Sequence, residues 1–461
     1  MALYQTIHYN DISNILIKAI RSTNHLQDFL NVFGYIHESI IIPHQIDFKL
    51  LIGLMRFITE DTVLSCKLFA FFKAIQISLP LNKEIAQLPF VPSLMDCMKY
   101  HSLGPIAFVS SELGKWTSTG GQGVMINELS EGLVTLGEEV YVVTPYYHFN
   151  RRNSSDYLSE ENQFEHTLDF EVRIGTEYYT INLYEGQVNG VKIFFLHNVD
   201  LFLSTNSQGD GVFTLRQICV FAKACLEVFC LKKLIPSLII TNDWFTGLVP
   251  GYVKSKAFGD VFEGTKFFHL IHNLDIMYDA RIHLNPEEGV TYLFIFIKRL
   301  IYFKTLKHIH ELPDDWLVDP LWQEKILNPS RCALMTCDQW GTVSTAYKED
   351  ILRTSPLANL LKKFKQPFGF PNGIPKDLRL KSVMEVCNND HYDAKRKTQK
   401  KYFNFNELDD SICLMSFIGR ITQQKGVHLI LESLDQLLAK YSGKIQVNQI
   451  LLKKPYVFCR L

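Results

Sequence analysis

Apolar side chains recur every three or four residues in ISNILIKAIRS, LQDFLNVFGYIHESI and FKLLIGLMRFITE, with polar breaks between them. That spacing predicts amphipathic helices, so residues 1–102 read as a helical extension that carries no visible chemistry. From Leu103 the pattern changes. Short β-rich apolar runs alternate with helical stretches: IAFVSSE, VMINELSEGLVTLG, EEVYVVTPYY, VKIFFLHN, a helix over 219–234, PSLIITND and KFFHLIHN. Units of this length predict an α/β domain over 103–375, a doubly wound parallel sheet with helices on both faces. Ligands of such sheets bind beyond the carboxyl ends of the strands, at a topological switch point. The residues directly after each apolar run are therefore the candidates.

A second break follows PNGIP at 371–375. Residues 376–404 are charged and lack aliphatic periodicity, which predicts a linker. Their run of Lys395, Arg396, Lys397, Lys400 and Lys401 reads as a basic patch or as a solvated helix face. SICLMSFIGR then predicts a strand and GVHLILESLDQLLAKY a helix, the opening of a second α/β domain over 405–461. No further helix pattern follows, so this domain is expected to be incomplete and the chain to be part of a longer one.

Composition narrows the class without choosing a chemistry. Of the 461 residues 47% are hydrophobic and 21% charged, the balance of a globular protein. A net charge of −1 gives no global field for nucleic acid or an anionic membrane. MALYQTIHYNDIS lacks the basic and apolar regions of a secretory signal, and KLFAFFKAIQ and YLFIFIKRLIYF are short and interrupted by Lys or Arg. A cytoplasmic location, with no membrane or nucleic-acid partner, is the expectation; the oligomeric state is left open. Ten cysteines are too sparse for a disulfide scaffold and match no zinc spacing, so they read as core residues and no metal site is expected.

Four places after predicted strands carry candidate chemistry. Between IAFVSSE and the next helix, TSTGGQG places Gly120, Gly121 and Gly123 where backbone N–H groups can meet an anion; a tight turn explains the same glycines. After PSLIIT come Asp243 and Trp244, a carboxylate and an indole suited to a sugar, with helix capping as the bland role for Asp243. After KFFHL come His272 and Asn273, polar groups at a strand end, or a satisfied core histidine and its neighbour. After LMSFIG come Arg420 and then Lys425 at a helix start, two cations that can converge on a diphosphate and stabilise a departing one.

The order of these pieces resembles the glycogen and starch synthase family. TSTGGQGVMINELSEGLVTLGEEVYVVTPYY, PSLIITNDWFTGLVPGYVK, FFHLIHNL, MTCDQWGTVSTAYKEDI, FPNGIP and IGRITQQKGVHLILESL are similar to its successive signatures, over about 103–434. The resemblance implies a GT-B fold of two doubly wound domains with the active site between them. It implies retaining transfer of glucose from ADP-glucose or UDP-glucose to the non-reducing end of an α-1,4-glucan, with no cofactor and no metal. On it, Gly120 and Gly121 would line the diphosphate approach, and Asp243, with Trp244 and Asn273, would face the acceptor. His272 would hold the transferred glucose, and Arg420 and Lys425 would grip the diphosphate. Three departures stand out. Ser118 replaces the lysine of the glycine loop, NDWFT replaces HDWHT, and NGIP replaces NGID. Nothing after Lys440 resembles the family's later ExxxGLxxxE region, so a non-catalytic, glucan-binding relative is the alternative implied.

Overall fold

The computed structural model describes residues 17–18, 22, 25–42, 71, 75, 83–92, 104–117, 120–147, 164–203, 211–275, 282, 307–319, 326–364, 367–369, 371–375, 379–381, 384–385, 390–403, 410–418 and 425–450. The chain divides into two compact units, Met1–Gly373 and Ile374–Leu461.

In the first unit, helix α1 (Leu26–Ile36) buries Phe29, Leu30, Phe33 and Ile36, the stripe that its periodicity predicts. Phe29 stacks on Phe71 at 4.6 Å and Phe33 meets Phe90 at 5.6 Å. Much of the expected helical extension lies outside the described residues.

The α/β body then begins. In chain order come β1 (Ile106–Val109), α2 (Gly114–Thr117), α3 (Gly121–Thr135), β2 (Val140–Pro145), β3 (Phe164–Ile174), β4 (Glu177–Val188) and β5 (Val191–His197). They are followed by α4 (Gly211–Leu231), β6 (Leu238–Asn242), α5 (Val249–Lys254), β7 (Lys266–Ile271), α6 (Pro329–Thr336), β8 (Gln339–Thr342), α7 (Thr345–Thr354) and β9 (Phe368–Gly369). The sheet order is β3-β4-β5-β2-β1-β6-β7-β8-β9, parallel from β5 to β9 and antiparallel in β3-β4-β5.

Alternation along β1 shows why both faces are covered. Ala107 and Val109 enter the core built around α4, while Ile106 and Phe108 enter the one beneath α2 and α3. The doubly wound expectation is borne out. Among the described cysteines, Cys219, Cys225, Cys332 and Cys337 are buried thiols as expected, Cys230 is half-buried and Cys413 is exposed; burial pushes Cys219 and Cys337 up to about 12.

The sequence reading missed the β3–β4 hairpin. Its signal is there: Phe170, Val172 and Ile174 alternate with charged residues and Gly175 turns at φ +59°. The hairpin is held from outside by Glu311, whose Oε1 accepts from the Gly175 N–H at 3.1 Å and whose other oxygen pairs with Lys223.

The switch point follows from chain order. From β1 the sheet grows outward through β2 to β5; α4 then returns the chain to the opposite side of β1, where β6 pairs with it. Neighbouring strands β1 and β6 thus send their connections apart at their carboxyl ends, and that divergence opens a crevice.

The second unit contains α8 (His391–Thr398), β10 (Cys413–Ile418), α9 (Val427–Lys440) and β11 (Ile445–Ile450). β10 and β11 pair in parallel around α9, a βαβ unit whose second strand was not read from the sequence. The basic run occupies α8 and the turn after it; α8 buries no residue, and Arg396 pairs with Asp410 and Lys397 with Asp393. Among the described residues no helix is long and apolar enough to cross a membrane.

Candidate active site

Asp243 follows β6 directly. Its backbone lies at φ 53°, ψ −170°, a conformation that costs a non-glycine residue energy and persists only where its surroundings impose it. Three hydrogen bonds do so: Asp243 N–H donates to Leu270 O at 3.1 Å, Asn242 N–H donates to Thr246 Oγ1 at 2.6 Å, and Thr246 Oγ1–H returns to Asn242 O at 3.0 Å. Capping does not explain the carboxylate, which makes no hydrogen bond to the short 3-10 turn after it. Its Oδ1 instead accepts the backbone N–H groups of His272 at 2.7 Å and Asn273 at 3.2 Å. Burial pushes the carboxyl up to about 7, opposed by those two N–H groups and helped by the Glu112 charge.

His272 is the next strand's counterpart. Asn242 is fully buried, and its Nδ2 donates to Val109 O at 3.0 Å and Ile240 O at 3.2 Å. Its Oδ1 therefore faces His272 Nε2 as an acceptor at 3.0 Å, and Nε2 carries the hydrogen. Burial takes the imidazole down to about 4, so it is neutral near pH 7 and Nδ1 keeps its lone pair. Replacing Asn242 by Asp is expected to raise the His272 pKa by at least about one unit through the new charge, read by NMR titration of the ring. An unchanged value would break the link between residue 242 and the ring.

Other members of the set are placed by the same segment. Asn273 Oδ1 accepts the Asp275 N–H at 3.0 Å, which closes a tight turn. Leu274 N–H donates to Tyr347 Oη at 2.7 Å, so α7 holds the end of the β7 loop. Trp244 is only partly free: it packs against the main core, its ring 5.5 Å from Phe245. Phe245, which departs from the family pattern, is a core ring against Phe221 at 5.2 Å.

The glycine loop comes from the β1 side. Among the described residues beyond its chain neighbours, a Cβ at Gly120 or Gly121 would meet no atom within 4 Å, so packing against them does not require glycine at either. Gly247 is the contrast, where a Cβ would lie 2.4 Å from Pro329 O. Asp243, His272, Asn273 and the Gly120 loop thus gather at the carboxyl ends of β1, β6 and β7. Lys425 is exposed on the second unit, one residue before Gly426, whose left-handed φ of 71° opens α9. Arg420 and Ser118 lie outside the described residues. Sequence reasoning missed Glu112, Asn242 and Tyr347, each of which sits inside a stretch it quoted: IAFVSSE, NDWFT and STAYKED.

A family model for the starch synthase catalytic domain matches residues 105–363. The chain belongs to that family. Among its relatives, the glycogen synthase of Streptococcus pneumoniae strain Hungary19A-6 is 25% identical over 345 residues, 72% of this chain and 66% of that protein. The glycogen synthase of S. pneumoniae strain ATCC 700669 / Spain 23F-1 is 26% identical over 344 residues, with the same coverage of each. The chain thus spans 66% of the length of these glycogen synthases. Among solved structures, the catalytic domain of starch synthase IV from Arabidopsis thaliana, bound to ADP and acarbose, shares the fold with a TM-score of 0.58 at 19% identity. That similarity covers 76% of this chain and 69% of that one. The GT-B fold expectation is thereby borne out, and the stretches TNDWF and IHN, within the matched range, carry Asp243 and His272.

Proposed function

We propose that this family member is a retaining glucosyltransferase that moves glucose from ADP-glucose or UDP-glucose to the non-reducing end of an α-1,4-glucan. The observation that carries the reading is the meeting of Asp243, His272 and the Gly120 loop at the switch point between β1 and β6. Family membership and the kinship with glycogen synthases support it.

In this reading the Gly120 and Gly121 backbone receives a phosphate, for which the missing Cβ atoms leave room. A neutral His272 with Nε2–H turned to Asn242 offers Nδ1 as an acceptor to a sugar hydroxyl. Asp243 faces the glucan hydroxyl and, when ionised, draws its proton as it attacks. The leaving diphosphate gathers charge, and Arg420 and Lys425 neutralise it, so the reaction needs no resident metal or cofactor. Trp244 supplies what free ring face it has to the glucan.

The experiment is incorporation of labelled glucose from each nucleotide sugar into a soluble glucan by the full chain, beside Lys425→Ala. Incorporation is expected with one donor, and the variant is expected to lose about 10²-fold in rate. Glucan binding with no incorporation from either donor would replace this reading by the non-catalytic one.

A further inference from the structure

Glu112 is a charged residue at this site that the reading above does not use, and it is tightly held. Ser110, fully buried at the end of β1, donates its hydroxyl to Glu112 O at 2.8 Å. Ser110 Oγ in turn accepts the Glu112 N–H at 3.2 Å and the Gln122 Nε2–H at 3.1 Å, which fixes the Glu112 backbone against the first turn of α3. The side chain then reaches eight residues forward, where its Oε2 accepts the Gly120 N–H at 3.0 Å. Gly120 is the last residue before α3, extended at φ −151°. A carboxylate thus takes a backbone N–H at the helix N-terminus, in the loop whose glycines leave room beside it.

We propose that Glu112 is a positioning residue of the donor site, latching the glycine loop to β1 by occupying the Gly120 N–H for which the phosphate of a nucleoside diphosphate competes. The proposal rests on the glucosyltransferase reading and names the group the donor must displace. One N–H cannot serve two anions fully, and the carboxylate charge repels an arriving phosphate. The same charge acts on the reacting groups: it favours the protonated forms of both Asp243 and His272. Glu112 is then a brake on anion binding as well as a support for the loop, and the two roles separate by substitution. Glutamine keeps an acceptor for Gly120 and removes the charge; alanine removes both.

The test uses the full chain and its Glu112→Gln and Glu112→Ala variants. Calorimetry measures inorganic pyrophosphate and ADP at fixed ionic strength, and amide hydrogen exchange follows residues 113–125 without ligand. Glu112→Gln is expected to bind both anions about five- to tenfold more tightly, the Coulomb effect of one charge at short range in a partly aqueous setting, with exchange unchanged. Glu112→Ala is expected to exchange faster across the loop. In Glu112→Gln the acid limb of the transfer rate should also move to lower pH. That limb belongs to Asp243, which faces Glu112 from β1, His272 from β7 and Tyr347 from α7, and a purely structural role would not move it. Equal or weaker anion binding by Glu112→Gln overturns the latch, and if the wild type binds ADP at that point, the donor reading survives. Absence of binding by all three proteins overturns both.

Discussion

Replacing Asp243 by Asn is expected to slow glucosyl transfer by about 10³-fold while making the protein more stable at pH 8. On the proposed function, the rate loss follows from removing a group that would take a proton at the reacting centre, an effect of ~10²–10⁴. The gain in stability comes from the same environment. Burial raises the carboxyl from 3.8 to about 7, above its value in the unfolded chain, so between these limits the native state binds the extra proton. The group's contribution is fully present below about pH 4 and is lost as pH rises through about 7. Asn is not ionised and escapes that loss. Because Asp243 is only half-buried, the gain at pH 8 is about 1–2 kcal/mol, less than the full shift implies. Chemical denaturation at pH 4 and pH 8 checks it: the variant should gain at the higher pH alone. For the wild type, the transfer rate should climb as pH rises through about 7. A variant no more stable at pH 8 than at pH 4 would mean that the carboxyl is not strained by its burial.

Gly247→Ala is the expected large loss of stability, about 3–4 kcal/mol, by the overpacking of a closely packed interior. A Cβ at 247 would lie 2.4 Å from Pro329 O, 2.8 Å from Pro329 C and 3.1 Å from Trp244 O. All three are backbone atoms, so no rotamer change relieves the overlap. Pro329 opens α6, where the Asn328 side chain caps the Arg331 N–H, and that end of α6 is fixed. Gly251, one turn later, has Cys332 Sγ at 2.8 Å from its Cβ position, so the approach of α5 to α6 runs along both glycines. The movement must therefore be taken up by the turn 244–248, which is continuous with Asp243. Thermal unfolding should show a lower midpoint, and transfer should fall with it. A variant of native stability would mean that α5 and α6 can separate without cost.

Much of the architecture is legible in the chain because it rests on local pattern. Parallel strands buried on both faces need continuous apolar runs, so IAFVSSE, VYVVTP and KFFHLI announce themselves. Helix α4 is equally plain, since its twelve buried residues fall over a continuous stretch. The β3–β4 hairpin gives a weaker signal, because a strand at the sheet's edge alternates apolar residues with Glu and Arg. Strand β11, IQVNQI, carries polar residues through its middle and has little pattern to read.

The site divides along the same line. The residues at the ends of strands, Asp243, His272 and the glycine turn, are determined by sequence, because an α/β sheet presents whatever follows its strands. The sequence alone left Asp243 between a cap and an anchor, and the glycines between a tight turn and a phosphate seat. Tertiary structure argues against the bland role in each case. Oδ1 of Asp243 is taken by backbone N–H groups 29 and 30 residues away, and among the described residues nothing packs where a Gly120 Cβ would point. It also brought in Asn242, which bridges a carbonyl 133 residues away and the His272 ring, and Glu112, whose charge acts on Asp243 from the segment after β1. Hydrophobic periodicity is a local quantity, set by which face of one element meets the core. Hydrogen-bond direction and pKa depend on groups that only the closed sheet makes neighbours.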